Sequence, residues 1–172
     1  GAIGVVIGHE MTHGFDDQGS QFDKDGNLRN WWTPQDKANF KARTQRMIRF
    51  FDGIEVLPGL HCNGALTCGE NIADHGGLKV AYQAFRNATS SRPLADFGGF
   101  TPDQRFFISY GQIWANNIRP EALRNQVKTD PHAPARWRVN GALPQIEAWY
   151  KAFGIKKGDK LFVPKNKRVD IW

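Results

Sequence analysis

The sequence His-Glu-Met-Thr-His at residues 9–13, directly after an apolar run, constrains this chain more than any other stretch. Residues four apart share one face of an α-helix, so His9 and His13 can offer ring nitrogens to a single metal ion. Glu10 lies about 100° further round the helix axis, at the rim of such a site. A carboxylate there can take a proton from a metal-bound water, and this spacing is therefore typical of metallopeptidases.

The motif by itself leaves an alternative open. A pattern with three fixed positions in five arises by chance in roughly one chain in a few hundred of this length, and the two histidines would then be ordinary polar groups on a half-buried helix. A metal site requires a third ligand. Thiolate ligands indicate a structural site with four protein ligands, so a carboxylate or a third histidine is the better choice here. Besides the carboxylates, the candidates are His61, His75, His132, Cys62 and Cys68.

Glu70 is the best third ligand in the sequence. It lies with Asp74 in Gly-Glu-Asn-Ile-Ala-Asp, where the two acids stand four apart at the start of a predicted helix. Such a like-charged pair is mildly destabilising in water, and a nearby cation reverses that cost. Asp74 could then accept the second ring N–H of a ligating histidine and fix its tautomer. The alternative is that both acids are exposed and are simply favoured by the helix dipole.

Length and composition predict one mainly α-helical domain with short β-hairpins. The 172 residues include 40% hydrophobic side chains, six Trp and twelve Phe, enough to bury about 70% of the unfolded surface. The first helix is apolar on most sides, which predicts that it is buried. Apolar periodicity and Thr-Pro helix starts predict helices over residues 1–14, 33–52, 69–87, 101–118, 120–127 and 144–153.

The net charge of +6 does not indicate a nucleic-acid partner. Much of the excess lies close to the C-terminus without a nucleic-acid-binding motif, which is typical of a solvated surface. No run approaches the ~20 apolar residues of a membrane span, so no membrane segment is expected within these residues. The basic residues near the C-terminus are Lys156, Lys157, Lys160, Lys165, Lys167 and Arg168.

The two cysteines, Cys62 and Cys68, flank Asn63-Gly64, which is a strong signal for a type I′ hairpin turn. That turn would place them roughly 10 Å apart. The Cα atoms of a disulfide lie within about 7 Å, so free thiols are expected. A wider loop that brings the two residues together is the alternative.

Several motifs together closely resemble the neprilysin family of zinc endopeptidases, which includes endothelin-converting enzyme and the bacterial oligopeptidase O proteins. The likeness implies the C-terminal part of a gluzincin (thermolysin-like) catalytic domain, one Zn²⁺ held by His9, His13 and Glu70, a peptide substrate and an extracytoplasmic location. The motifs are the stretch from His9 to Asp17, Asp25-Gly26, Trp31-Trp32, the stretch from Gly69 to Asp74 with Gly76-Gly77-Leu78, and the closing Arg168-Val169-Asp170-Ile171-Trp172.

The resemblance also implies roles for residues that spacing alone does not single out. An Asp-x-His-x-Pro segment in the family matches residues 130–134, so His132 would stabilise the oxyanion and Asp130 would orient it. Arg138 would bind a substrate carbonyl. The positions that line the family's apolar pocket for the residue after the scissile bond are Val5, Val6, Ile113 and Trp114.

The chain departs from the family pattern in three ways. It lacks the upstream strand that holds the substrate backbone, it is several times shorter than family members, and Cys62 and Cys68 replace residues that are commonly apolar. The chain is therefore expected to be a fragment, and the missing cysteine-rich C-terminus of animal members favours a bacterial source. The sequence predicts a zinc-dependent endopeptidase of short peptides with Glu10 as general base and Asp74 in support. The alternative is a non-catalytic zinc-binding fragment that forms a homodimer through uncovered surface on its first helix.

Overall fold

The computed structural model describes residues 1–172 and confirms a mainly α-helical fold with one small β-hairpin. Short 3₁₀ turns at residues 13–15, 19–21, 143–145 and 165–167 connect the main elements. None of the helices combines the length and the hydrophobicity that spanning a bilayer requires. In chain order the elements are α1 (Ile3–Thr12), α2 (Pro34–Asp52), β1 (Glu55–Leu57), β2 (Leu60–His61), α3 (Cys68–Thr89), α4 (Pro102–Ile113), α5 (Pro120–Thr129), α6 (Ala135–Asn140) and α7 (Glu147–Phe153).

The helix α3 lies between two hydrophobic cores. Its Leu78 belongs to a core built mainly with α1, α4 and α7, whereas its Ile72 packs with α2 and the C-terminal segment. Val169 and Ile171 of that segment are both buried in the second core. Because both sides of α3 are packed in a hydrophobic core, this packing fixes its position relative to α1.

The backbones of α1 and α3 touch at two glycines. A Cβ atom added to Gly77 would lie 2.6 Å from the backbone nitrogen of His9 and 2.7 Å from the carbonyl oxygen of Val5. A Cβ atom added to Gly8 would lie 3.0 Å from the α-carbon of Gly77. No side chain fits at this crossing, so the glycines set how closely the two helices approach each other.

We expect Gly77→Ala to destabilise the protein by about 1–3 kcal/mol, because the added methyl overlaps backbone atoms that cannot move independently. Gly4→Ala is the matched control in the same pair of helices, since its Cβ would meet only the Ala81 methyl at 3.9 Å. That control should be neutral or slightly stabilising, as alanine favours helix by about 1 kcal/mol. Urea unfolding measures both; equal stability of the two variants would contradict the close-contact interpretation.

The prediction that the first helix is buried on most sides is wrong. Ile3, Ile7 and Met11 are 70%, 55% and 66% exposed, whereas Val5 and His9 are buried. The three exposed residues are spaced four apart and form one stripe of α1. Only the side of α1 that meets α3 and the first core is covered in this chain.

The predicted Asn63-Gly64 hairpin turn is also wrong. The strands β1 and β2 are joined at Pro58-Gly59, where Gly59 has a φ of 72°. Gly64 does not have the positive φ that a type I′ turn needs. The side chain of Asn63 instead accepts a hydrogen bond from the backbone N–H of Leu66 at 3.0 Å, and this turn leads into α3.

The cysteines are free, and both are buried in the second core. Burial, followed by the charge of Asp52, raises the pKa of the Cys62 thiol to about 11. Burial, with the charges of Asp17 and Asp16, raises the pKa of Cys68 to about 12. Both side chains are therefore neutral, apolar core residues at physiological pH.

The helix starts at Thr33 and Thr101 are confirmed, because each threonine side chain accepts a hydrogen bond from the backbone N–H three residues on. Other boundaries differ from the prediction. The helix α4 ends at Ile113, five residues early, and α7 begins only after a 3₁₀ turn. The six-residue α6 lies where a loop was expected, because so short a helix, without a side-chain cap, leaves no periodic pattern.

Candidate active site

Three side chains from α1, the turn after it and α3 converge on one point. The Nε2 atoms of His9 and His13 lie 3.1 Å apart. A carboxylate oxygen of Glu70, Oε2, lies 3.1 Å from the first of these nitrogens and 3.6 Å from the second. The structure therefore brings together the three residues that the sequence predicted as metal ligands: His9, His13 and Glu70.

Each of the two histidines is held from behind by a carboxylate. The Nδ1 atom of His9 lies 2.9 Å from Oδ1 of Asp74, and Nδ1 of His13 lies 2.7 Å from Oδ2 of Asp16. The backbone N–H groups of Gln18 and Gly19 donate to the other oxygen of Asp16 and fix its direction. With each Nδ1 next to a carboxylate, both Nε2 atoms point inward, where they can offer lone pairs to a cation.

Asp16 was not predicted to take part in the site. The available signal was its position three residues after His13, which in a 3₁₀ turn brings two side chains to the same side. The sequence Phe-Asp-Asp-Gln-Gly looked instead like an ordinary polar turn.

The inward-pointing atoms fit a cation. Oε2 of Glu70 is buried, and three imidazole Nε2 atoms face it: those of His9 at 3.1 Å, His132 at 3.2 Å and His13 at 3.6 Å. Lone pairs gathered in this way repel one another unless a positive charge lies between them. Two histidines and one glutamate are a known ligand set for catalytic zinc.

The pKa shifts of His9 and Glu70 also indicate that negative charge is concentrated at this cluster. Burial opposes protonation of His9, but its hydrogen bonds with Asp74 and Glu70 outweigh burial and raise its pKa to about 9. For Glu70, burial acts to raise the pKa, and the hydrogen bond with His9 and the charges of His132 and His13 lower it overall. The cluster therefore attracts positive charge, whether carried by a proton or a metal ion.

Arg138 forms a buried ion pair with Asp74. Its Nε donates to Oδ2 at 2.8 Å and its Nη2 to Oδ1 at 2.6 Å. The guanidinium lies 3.9 Å from the centre of the Trp114 ring, and the Tyr110 hydroxyl donates to the carbonyl oxygen of Arg138. Asp74 thus lies between His9 and Arg138, and Nη1 of the arginine makes none of these contacts.

His132 lies beside the cluster, just after the end of α5. Its Nδ1 is 2.8 Å from Oδ1 of Asp130, and the same oxygen accepts its backbone N–H at 2.8 Å. Its Nε2 points to Oε2 of Glu70 at 3.2 Å. Burial acts to raise the pKa of Asp130, but the hydrogen bonds from His132 outweigh it and lower that pKa.

A cavity of about 110 Å³ opens beside Glu10 and the histidine cluster. Ile113, the last residue of α4, does not border it and is 40% exposed. Tyr110 was missed, although it precedes Trp114 by four residues and therefore shares its face. The lining comprises Val5, Val6, His9, Glu10, Asp74, Tyr110, Trp114, His132 and Arg138.

A His-Glu-x-x-His motif at the end of one helix (α1), with a glutamate on a second helix packed against it (α3) as the third potential ligand, is typical of the gluzincin class of metallopeptidases. Residues 1–169 match the family described as Peptidase family M13. Human neprilysin is 40% identical over 177 residues, and rat (Rattus norvegicus) endothelin-converting enzyme 1 is 41% identical over 175 residues, each across 100% of this chain. The chain belongs to peptidase family M13.

Solved structures agree with this assignment. The zinc metalloprotease ZMP1 of Mycobacterium tuberculosis, in complex with an inhibitor, superposes with a TM-score of 0.96 at 41% identity over 99% of the chain. PEPO from Lactobacillus rhamnosis gives a TM-score of 0.84 at 39% identity over 98%. The chain spans 23% of the length of the two sequence relatives and 27% and 25% of the two structures.

Proposed function

We propose that the protein is a zinc-dependent endopeptidase that hydrolyses internal bonds of short peptides, with one Zn²⁺ held by His9, His13 and Glu70. The observation that carries the proposal is the convergence of three potential ligand atoms, Nε2 of His9, Nε2 of His13 and Oε2 of Glu70, with each histidine oriented by its own carboxylate. Membership of family M13 supports the same activity.

When bound, zinc supplies polarisation of the scissile carbonyl and activation of the hydrolytic water. Glu10 is exposed at the edge of the cavity and would accept the proton of that water, then pass it to the leaving amine. Asp130 orients the ring of His132 so that Nε2 points to the cluster, where it would donate to the developing oxyanion.

The substrate contacts follow from the same arrangement. Nη1 of Arg138 would donate to a peptide carbonyl, while Nε and Nη2 hold Asp74. The part of the cavity lined by Val5, Val6, Tyr110 and Trp114 would take the side chain after the scissile bond. Ile113 is left out of this pocket because it lies outside the cavity.

Zinc analysis tests the proposal directly. We expect one zinc ion per chain and peptide hydrolysis that a chelator abolishes. His9→Ala should lower the zinc affinity by more than about 100-fold, because loss of a ligand should cost at least as much as loss of a residue that supports one. His61→Ala is the matched control, because His61 is exposed and its ring contacts only the carbonyl oxygen of Asp52. A zinc affinity unchanged by His9→Ala would exclude this site.

Family membership favours the peptidase over the alternative of a non-catalytic, self-associating fragment. The exposed stripe of Ile3, Ile7 and Met11 keeps homodimer formation as a separate prediction, which the mass of the protein in solution would test. We further propose an extracytoplasmic location, supported by likeness to neprilysin and endothelin-converting enzyme 1. A bacterial source likewise stays a prediction.

A further inference from the structure

Asp17, the residue after Asp16, is half-buried, and one of its carboxylate oxygens is enclosed in a place that the proposed mechanism does not use. Oδ1 of Asp17 is inaccessible to solvent and has no hydrogen-bond donor. Its other oxygen has only a long contact, 3.4 Å, with the side-chain amide of Gln18. Burial and the neighbouring charge of Asp16 raise the pKa of Asp17. A buried carboxylate oxygen without a hydrogen-bond donor costs stability, so its retention beside a second acid is consistent with a positional role.

The contact that Asp17 does make is with the first turn of α3. A Cβ atom added to Gly69 would lie 2.9 Å from Oδ1 of Asp17 and 3.1 Å from Oδ2 of Asp16. Two adjacent carboxylates therefore pack directly against the α-carbon of Gly69, which only glycine permits. The residue that follows Gly69 in the chain is Glu70, the proposed third zinc ligand.

The N-terminus of α3 explains why acids are tolerated at this contact. The first turn of a helix has backbone N–H groups without intrahelical partners and a partial positive charge. Thr67, which precedes α3, provides no side-chain cap. The two carboxylates beside Gly69 supply the negative charge that such an end favours.

We propose that Asp17 is a positioning residue for Glu70: by packing against Gly69 it fixes the first turn of α3 relative to His13, while Asp16 holds His13 itself. The two neighbouring acids would then act on different ligands of the same site. The inference rests on the proposed zinc site, but neither Asp17 nor Gly69 touches the ion or the substrate.

The first test is zinc affinity measured by competition with a chelator. Asp17→Ala should weaken zinc binding by about 10–100-fold, the usual effect of losing a residue that supports a ligand. Asp17→Asn, which keeps the shape, should stay within about threefold of the unmutated protein, because shape rather than a hydrogen bond makes the contact. Asp25→Ala is the matched control, since Asp25 is exposed and pairs only with Lys24.

The second test is a double-mutant cycle with cobalt(II) in place of zinc. Gly69→Ala alone should weaken metal binding, because its methyl meets both carboxylates, and Asp17→Ala added to Gly69→Ala should recover part of the affinity. The visible absorption of bound cobalt should change in Asp17→Ala and not in Asp25→Ala, which a mere loss of stability would not produce.

Each result decides between distinct possibilities. Independent effects of Asp17→Ala and Gly69→Ala, or an Asp17→Ala variant with the affinity and cobalt spectrum of the unmutated protein, would overturn the positioning role alone. Absence of zinc and cobalt binding by the unmutated protein would instead overturn the proposed function and the inference with it.

Discussion

Glu10→Gln should lower the turnover of peptide hydrolysis by about 10²–10⁴-fold, the usual contribution of a general base, and leave zinc bound. Glutamine keeps the size and position of the side chain but cannot accept a proton. Glu10 is exposed and forms no ion pair, so the substitution removes no internal contact of that kind. We therefore expect Glu10→Gln to lower the turnover number strongly while its zinc content stays unchanged.

The measurement is the turnover number of the purified protein on an internally quenched peptide, with zinc content determined on the same samples. Glu121→Gln, at an exposed position in the first turn of α5, makes the same chemical change far from the motif and should leave both quantities unchanged. Turnover of Glu10→Gln near that of the unmutated protein would rule out its role as base. Loss of zinc from this variant would show that Glu10 acts on the metal site instead.

The convergence of His9, His13 and Glu70 could be predicted from the sequence because each part of the pattern is local. His9 and His13 are four residues apart, and so are Glu70 and Asp74, so each pair lies on one face of its helix. Packing of α1 against α3 then brings all four side chains together. The roles of His132 and Arg138 came only from family resemblance. No periodicity connects these two residues to α1, and their positions depend on how α5 and α6 pack.

The remaining differences arise where tertiary contacts override a local pattern. The Asn63-Gly64 pair has the composition of a hairpin turn, but the side chain of Asn63 is used to start the turn before α3. The apolar stripe on α1 predicts burial, although burial depends on what lies opposite. Asp16 and Asp17 look like loop residues because their function depends on His13 and Gly69, and a sequence does not reveal that proximity.

The ion pair between Arg138 and Asp74 connects the proposed catalytic site to the stability of the fold. The two side chains are 7% and 2% exposed, and the carboxylate also holds the ring of His9. A buried ion pair adds little net stability, since desolvation of both charges offsets their attraction. Removal of one partner is different, because it leaves the other charge buried and uncompensated.

Arg138→Ala is therefore expected to destabilise the protein by about 3–5 kcal/mol, measured by urea unfolding. Arg138→Lys keeps the charge but loses the two-point contact with Asp74 and the stacking on Trp114, so an intermediate loss is expected. Arg136→Ala, on the exposed side of the same helix, is the control and should change stability by less than about 1 kcal/mol. If Arg138→Ala were as stable as that control, Asp74 could not depend on the arginine for compensation, and the carboxylate would have to hold His9 without it.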